Sequence, residues 1–230
     1  MTACQPAPLD RRARRRAWTR DEIKASALRQ LAEHGVEGLS LNAIARELGM
    51  TGPALYRYVT SREELLADLV VDAWEELADT LERAAEESAR ASAGERLAAI
   101  GLAYRAWGTA QPHRYRLAIQ TRLGSGELAP DRVIPAAQRA MKVILDAIED
   151  LPTARKPKGE LNAQRRAELD AWTDRVGGQQ RAAAVLLRGV LFWSRLHGLI
   201  SLELDHHLAS MQLDPELLYR AELTGLGGQA

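Results

Sequence analysis

Leu39–Val59, LSLNAIARELGMTGPALYRYV, is the run from which the rest of the chain can be read. Leu41, Ile44, Ala45 and Leu48 fall at i, i+3, i+4 and i+7, one apolar stripe along a first helix. Gly49 follows, where a helix C-terminus favours a residue at ease in left-handed backbone. Thr51 offers a hydroxyl to cap a second helix, and Pro53 occupies its first turn, where a missing N–H does no harm. This second helix, Gly52 to about Tyr58, buries Leu55 and presents Tyr56, Arg57 and Tyr58. So short a helix needs the preceding one as its platform. Two short helices joined by a tight turn make a helix-turn-helix. Small residues at Gly52 and Ala54 admit close approach to a duplex, while the tyrosines and the arginine suit phosphates and base edges. The competing reading is a plain helical hairpin inside a core.

Upstream, Thr19-Arg-Asp-Glu22 reads as a capping box opening a helix to about His34, with Ile23, Ala27, Leu28 and Leu31 inward. That completes a three-helix unit. Residues 1–18 carry Pro6, Pro8 and the cluster RRARRR without an apolar period, which predicts a flexible basic arm. The arm is either a solvated tail or an element that touches DNA phosphates or enters a minor groove. Through Arg62 the chain holds eleven basic and six acidic residues, a net +5, which leaves −5 for the remainder. A basic head on an acidic body suits a polyanion partner for the head alone.

Downstream the pattern is helical throughout. Ser61-Arg-Glu-Glu64 is a second capping box, opening a helix to about Ala89 that buries Leu65, Leu66, Leu69, Val70, Ala73, Leu77 and Leu81. At about 1.5 Å per residue it is long enough to run from the head into a separate body as one rod. Ser92-Ala-Gly-Glu95 opens a further helix containing Leu97, Ile100, Tyr104 and Trp107, and Pro112 starts another to about Leu123. A loop at Gly124-Ser-Gly126 precedes a helix from Asp131 to Asp150, and residues 151–168 read as a surface loop with a helical tail. Gly177-Gly178 leads into Gln179–Leu204, apolar on nearly every side, and Asp214-Pro-Glu216 opens a last helix with Leu217, Leu218 and Ala221. No strand-like alternation or internal repeat is visible. The expectation is an all-α chain: arm 1–18, helix-turn-helix domain 19–64, and a helical-bundle body 65–230 for ligand binding and dimerisation.

Composition narrows the function classes. The chain is 46% hydrophobic and 27% charged, as in globular proteins. No apolar run approaches the roughly 20 residues that span a bilayer, the N-terminus lacks a secretory h-region, and Cys4 is the only cysteine. A cytoplasmic protein without membrane partner is expected. No nucleophile elbow, phosphate-cradling glycine loop or HExxH is present, so an enzyme on a helical bundle is disfavoured. Adjacent His206 and His207 point to different faces and make a poor metal site, and nothing calls for a cofactor.

Residues 19–70 resemble the TetR/AcrR family of bacterial transcription regulators: a first helix, then G-x-x-x-L-[ST], I-A-x-x-L-G, P-x-L-Y-x-Y and E-x-L-L in order. Trp193–Leu204, WSRLHGLISLEL, and Pro112–Ile119, PHRYRLAI, look like the class of C-terminal domain named for its Trp-His-Gly motif. The resemblance implies a homodimer that binds a palindromic operator on double-stranded DNA and, as a repressor, releases it when a small hydrophobic effector enters the body. It also implies that Ser40 and Asn42 meet DNA from the supporting helix. Thr51, Gly52, Ala54, Tyr56, Arg57 and Tyr58 lie on the recognition helix, with Tyr56 on a phosphate and Arg62 on another beyond it. Arg57 is the candidate for a bidentate guanine contact, a phosphate contact being the alternative.

Candidate pocket residues are Trp74, Tyr104, Trp107, His113, Tyr115, Met141, Trp193 and His197, although an aromatic or Met at helical spacing is more often core than cavity lining. Trp193 and His197 share a face at i, i+4, and a structural pair with the imidazole on a backbone carbonyl competes with a pocket role. The doubly apolar helix from Gln179 predicts a dimer face at Leu187, Leu191, Gly198 and Leu202 with Leu218, and Gly189 and Gly198 would admit a partner helix. A dimeric helical adaptor without sequence-specific DNA binding is the rival class.

Overall fold

The computed structural model describes residues 11–120, 129–151, 163–175 and 181–227; Cys4, the glycine loop at 124–126, residues 152–162 and the Gly177-Gly178 pair lie outside them. The all-α expectation holds: among the described residues there are helices and turns and no strand. The chain divides into two compact units at Leu69/Val70, five residues beyond the expected boundary.

The head holds α1 (Arg11–His34), a 3-10 turn (Val36–Gly38), α2 (Leu41–Glu47), α3 (Gly52–Leu55) and the start of α4 (Arg62–Glu87). Its core is Ile23, Ala27, Leu31, Leu39, Leu41, Ile44, Ala45, Leu55, Val59, Leu65, Leu66 and Leu69. The expected flexible arm is corrected here: α1 begins at Arg11, so RRARRR is helical. Arg and Ala are strong helix formers, and no Gly or Pro interrupts Arg11–His34. Thr19 therefore caps nothing; its hydroxyl donates to the Arg15 carbonyl inside the helix (3.0 Å). Ser26 and Arg29 on α1 both donate to the Glu47 carboxylate (2.5 Å each), tying α1 to the end of α2 and holding that carboxyl below its usual range. The buried Asp68 carboxylate is paired with Arg20 at 3.5 Å.

The body comprises the rest of α4, α5 (Ala93–Ala110), α6 (Pro112–Gln120), α7 (Pro130–Glu149), α8 (Ala163–Arg175), α9 (Ala183–Leu204), α10 (His207–Ser210) and α11 (Pro215–Gly227). The capping box at Ser92 and Glu95 forms as read. α5 packs on α6, α7, α9 and α11, and α9 also packs on α7, α8 and α10. Charged clasps lock the periphery. Arg139 of α7 reaches Glu75, Asp79 and Glu82 along one face of α4, and Arg105 of α5 forks onto Glu203 of α9 at 2.8 and 2.9 Å.

Three sequence readings of the body change. The tail of the 151–168 stretch is a full helix, α8. α11 turns its Tyr219 and Leu223 inward and leaves Leu217 66% exposed, one position off the expected apolar face. Finally, α9 is 22 residues long and apolar enough to cross a membrane by length and composition, contrary to the expectation that no run approaches that length. It buries Ala183, Leu186, Gly189, Phe192, Leu196 and Ile200 against the body, leaves the rest of its length partly or fully exposed, and carries Arg188, Arg195 and Glu203.

Candidate nucleic-acid interface and body core

The recognition segment is built from its caps upward. Ser40 starts α2, its hydroxyl accepting from the Ala43 N–H at 3.3 Å, and Thr51 starts α3 by accepting from the Ala54 N–H at 3.4 Å. Between them Gly49 takes φ +64°, the left-handed turn anticipated at the end of α2. α3 is shorter than expected. Regular helix ends at Leu55, and Tyr56–Tyr58 continue as a turn tied by Arg57 N–H to Ala54 C=O and Tyr58 N–H to Leu55 C=O. Leu55 and Val59 are buried, so this turn is pinned from beneath.

What faces outward is the chemistry. Tyr56 is 51% exposed, Arg57 and Asn42 are exposed, and Tyr58, Gly52 and Ala54 are half-buried. An open groove of about 420 Å³ gathers Ser40, Asn42, Tyr56, Thr60, Ser61 and Arg62. Four of the nine residues singled out for DNA thus line one concavity. Arg62 also braces the backbone, its guanidinium donating to Leu39 C=O at 3.1 Å and Val36 C=O at 2.5 Å. Two residues escaped the sequence reading. Gln30 accepts from the Ser40 N–H at 2.9 Å, and Arg16 donates to Arg57 C=O at 3.3 Å. The signal for Arg16 was the unbroken helical run from Arg11, which the proline-rich start of the arm obscured.

In the body, the aromatic candidates converge. Tyr104, Trp107 and His197 surround Tyr115 with ring centroids 6.2, 6.4 and 5.7 Å away, and Trp193 stacks on His197 at 5.4 Å with planes 7° apart. His197 is not held by a backbone carbonyl: its Nδ1 lies 2.6 Å from the Tyr115 hydroxyl, which also meets Ser201 Oγ at 3.2 Å. Burial lowers the His197 pKa, raises Tyr115 to about 12 and pushes Tyr104 well up. Among the described residues the buried Trp74 Nε1 and Trp107 Nε1 have no hydrogen-bond partner, while the Tyr104 hydroxyl sits beside the Trp193 indole and the Tyr115 hydroxyl. His113 stands outside this cluster, exposed on α6, and Met141 is half-buried on α7.

The residues expected at a dimer face stay uncovered. Leu191 and Leu202 are 44% and 40% exposed, Leu187, Gly198 and Leu218 are half-buried, and a methyl group added at Gly198 would meet nothing. Gly189 is a correction. A Cβ there would collide with the Leu145 side chain, so this glycine admits α7 of the same chain rather than a partner helix. No group of three metal-ligating side chains occurs among the described residues.

Comparison with known proteins agrees with this architecture. Residues 23–69 match the family described as bacterial regulatory proteins, tetR family, and residues 97–226 match the tetracyclin repressor-like C-terminal domain. The HTH-type transcriptional regulator Rv1816 of Mycobacterium tuberculosis is 33% identical over 235 residues, 95% of each chain. The solved structure of SCO4313 is 40% identical with a TM-score of 0.76, covering 94% of this chain and 98% of that one. FadR of Bacillus subtilis, solved in complex with stearoyl-CoA, shares the fold at 16% identity and TM-score 0.56, covering 91% and 98%. With both units matched and the recognition segment facing outward, the chain belongs to the TetR family of bacterial transcriptional regulators, DNA-binding proteins of the helix-turn-helix type and not enzymes.

Proposed function

We propose that this regulator is a ligand-responsive repressor: a cytoplasmic homodimer that binds a palindromic operator and is released from it by a small hydrophobic effector. The observation that carries the reading is the exposed pair Tyr56 and Arg57 beside the groove of Ser40, Asn42 and Arg62, in a stretch, residues 1–62, of net charge +5. Two heads related by a two-fold axis would place their recognition segments in successive major grooves, about 34–36 Å apart. The uncovered leucines of α9, with Leu218, supply the apolar face for that symmetry.

The aromatic core supports the effector half of the proposal. Its rings are largely apolar, with the Tyr115, His197 and Ser201 polar atoms engaged with one another, and the buried Trp107 N–H is without a partner among the described residues, which favours a compound that brings a hydrogen-bond acceptor. α4 begins in the head and ends in the body, so it is the element through which occupancy would bias the spacing of the heads. Such coupling is reciprocal and is typically worth about 1–3 kcal/mol.

Duplexes selected from random sequence by the intact protein test the DNA half. Arg57→Ala should lower affinity for the selected duplex by about 1–3 kcal/mol while leaving the melting curve unchanged. Binding that ignores both the substitution and the salt concentration would refute the reading, because phosphate contacts release counterions.

A further inference from the structure

From Arg11 to Arg20 the chain carries six arginines and no carboxylate; the nearest acids in sequence are Asp10 and Asp21. All six lie on α1, and Arg12, Arg16 and Arg20 recur at i, i+4 and i+8, one face of the helix. The inner end of that row is anchored, since Arg20 pairs with the buried Asp68 at 3.5 Å. Its middle meets the reading segment, where the Arg16 guanidinium donates to the carbonyl of Arg57 at 3.3 Å. Its outer end, Arg12, is exposed and sits one turn further out, about 6 Å along the axis.

These first two turns are electrostatically self-opposed. Arg11 and Arg15, like Arg12 and Arg16, are like charges at i, i+4, which repel. The row also crowds the positive end of the helix dipole, where cations are unfavourable and anions favourable. A polyanion removes both penalties at once. Exposed Trp18 lies on the same segment, 64% accessible, and the charged row abuts the residue best placed to read a base.

We propose that Arg12 and Arg16, on the first turns of α1, form a phosphate clamp on the stretch of duplex flanking the site read by Tyr56–Tyr58, and that these turns tighten when the duplex is bound. This rests on the head being the DNA-binding unit. Because the segment is helical from Arg11, it lies along the sugar-phosphate backbone instead of threading a minor groove as an extended arm would. Arg12 then contributes equally on any sequence, whereas Arg16 also positions Arg57 through its carbonyl.

The test uses the intact chain, a selected duplex and a scrambled duplex of equal length, titrated between about 50 and 200 mM salt. Arg12→Ala should reduce the slope of log K against log salt by about 0.9 for each bound head on both duplexes. Arg12→Lys should retain the slope, an ammonium also serving a phosphate. Amide exchange across residues 11–18 should slow when either duplex is added. An unchanged slope and affinity in Arg12→Ala overturns the clamp, as does a change confined to the selected duplex or exchange that the duplex leaves as fast as before. A wild-type chain that binds neither duplex overturns instead the assignment of DNA binding to the head.

Discussion

At His197 the consequences of burial can be followed through a single ring. Stacked under Trp193 and bonded to Tyr115, the imidazole has a pKa held below its ordinary value by desolvation. The folded state therefore binds fewer protons than the unfolded one just below pH 6.5, and stability falls as pH drops through that window. Melting temperatures between about pH 5 and 8 should show this loss, and His197→Gln should flatten it. The carboxyls of Glu47, Glu95 and Asp146 are also held low, but from ordinary values of 4.5 or 3.8, so their contributions are lost at more acid pH. Two glycines of α9 make a second comparison at this scale. Gly189→Ala forces Leu145 to move, an overpacking of about 1–3 kcal/mol set against about 1 kcal/mol of helix propensity gained. Gly198→Ala meets open space and should stabilise by roughly the propensity alone. Denaturant unfolding of the two variants should move in opposite directions; a loss at Gly198 would mark that position as packed against a second copy.

Among the elements, caps proved the most faithful sequence signals. Ser92 and Glu95 exchange both hydrogen bonds of a capping box, and Ser92→Ala should cost about 1 kcal/mol in a urea titration, with the DNA-facing residues of the head unaffected. The box read at Thr19 failed for a reason within the same element: the helix starts eight residues earlier, so its hydroxyl has a backbone carbonyl to serve instead of an orphan N–H. At Ser61 the hydroxyl does accept from the Glu64 N–H at 3.0 Å, and the Glu64 carboxylate accepts from the Thr60 N–H. α3 has little regular helix: Gly52–Leu55 are helical, and the exposed Tyr56 and Arg57 follow in a turn pinned by Leu55 and Val59.

For the whole molecule, the proposed homodimer would rest on α9. A helix 22 residues long that leaves Leu191 and Leu202 in solvent offers an apolar face for such a dimer. Leu202→Glu should shift the mass measured by light scattering at micromolar concentration toward the monomer and weaken binding to a two-site operator far more than to a half-site. The charge division belongs to this scale as well: residues 1–62 carry +5 and the unit they belong to, through Leu69, still +2 against −2 for the body, which favours a polyanion partner for the head.

The helical class, the recognition turn and most of the buried stripe on α4 were legible in the amino-acid order, because periodicity and capping are local rules that act within one or two turns. Leu65, Leu66, Leu69, Leu77 and Leu81 are all buried where their spacing put them. Gly49 turns where it was expected to turn. What the order of residues left open needed contacts between distant segments. Arg16 meets Arg57 across 41 positions, Tyr115 meets His197 across 82, and Gly189 makes room for Leu145 rather than for a second copy. Spacing tells which side of a helix is apolar; only packing tells what that side rests against.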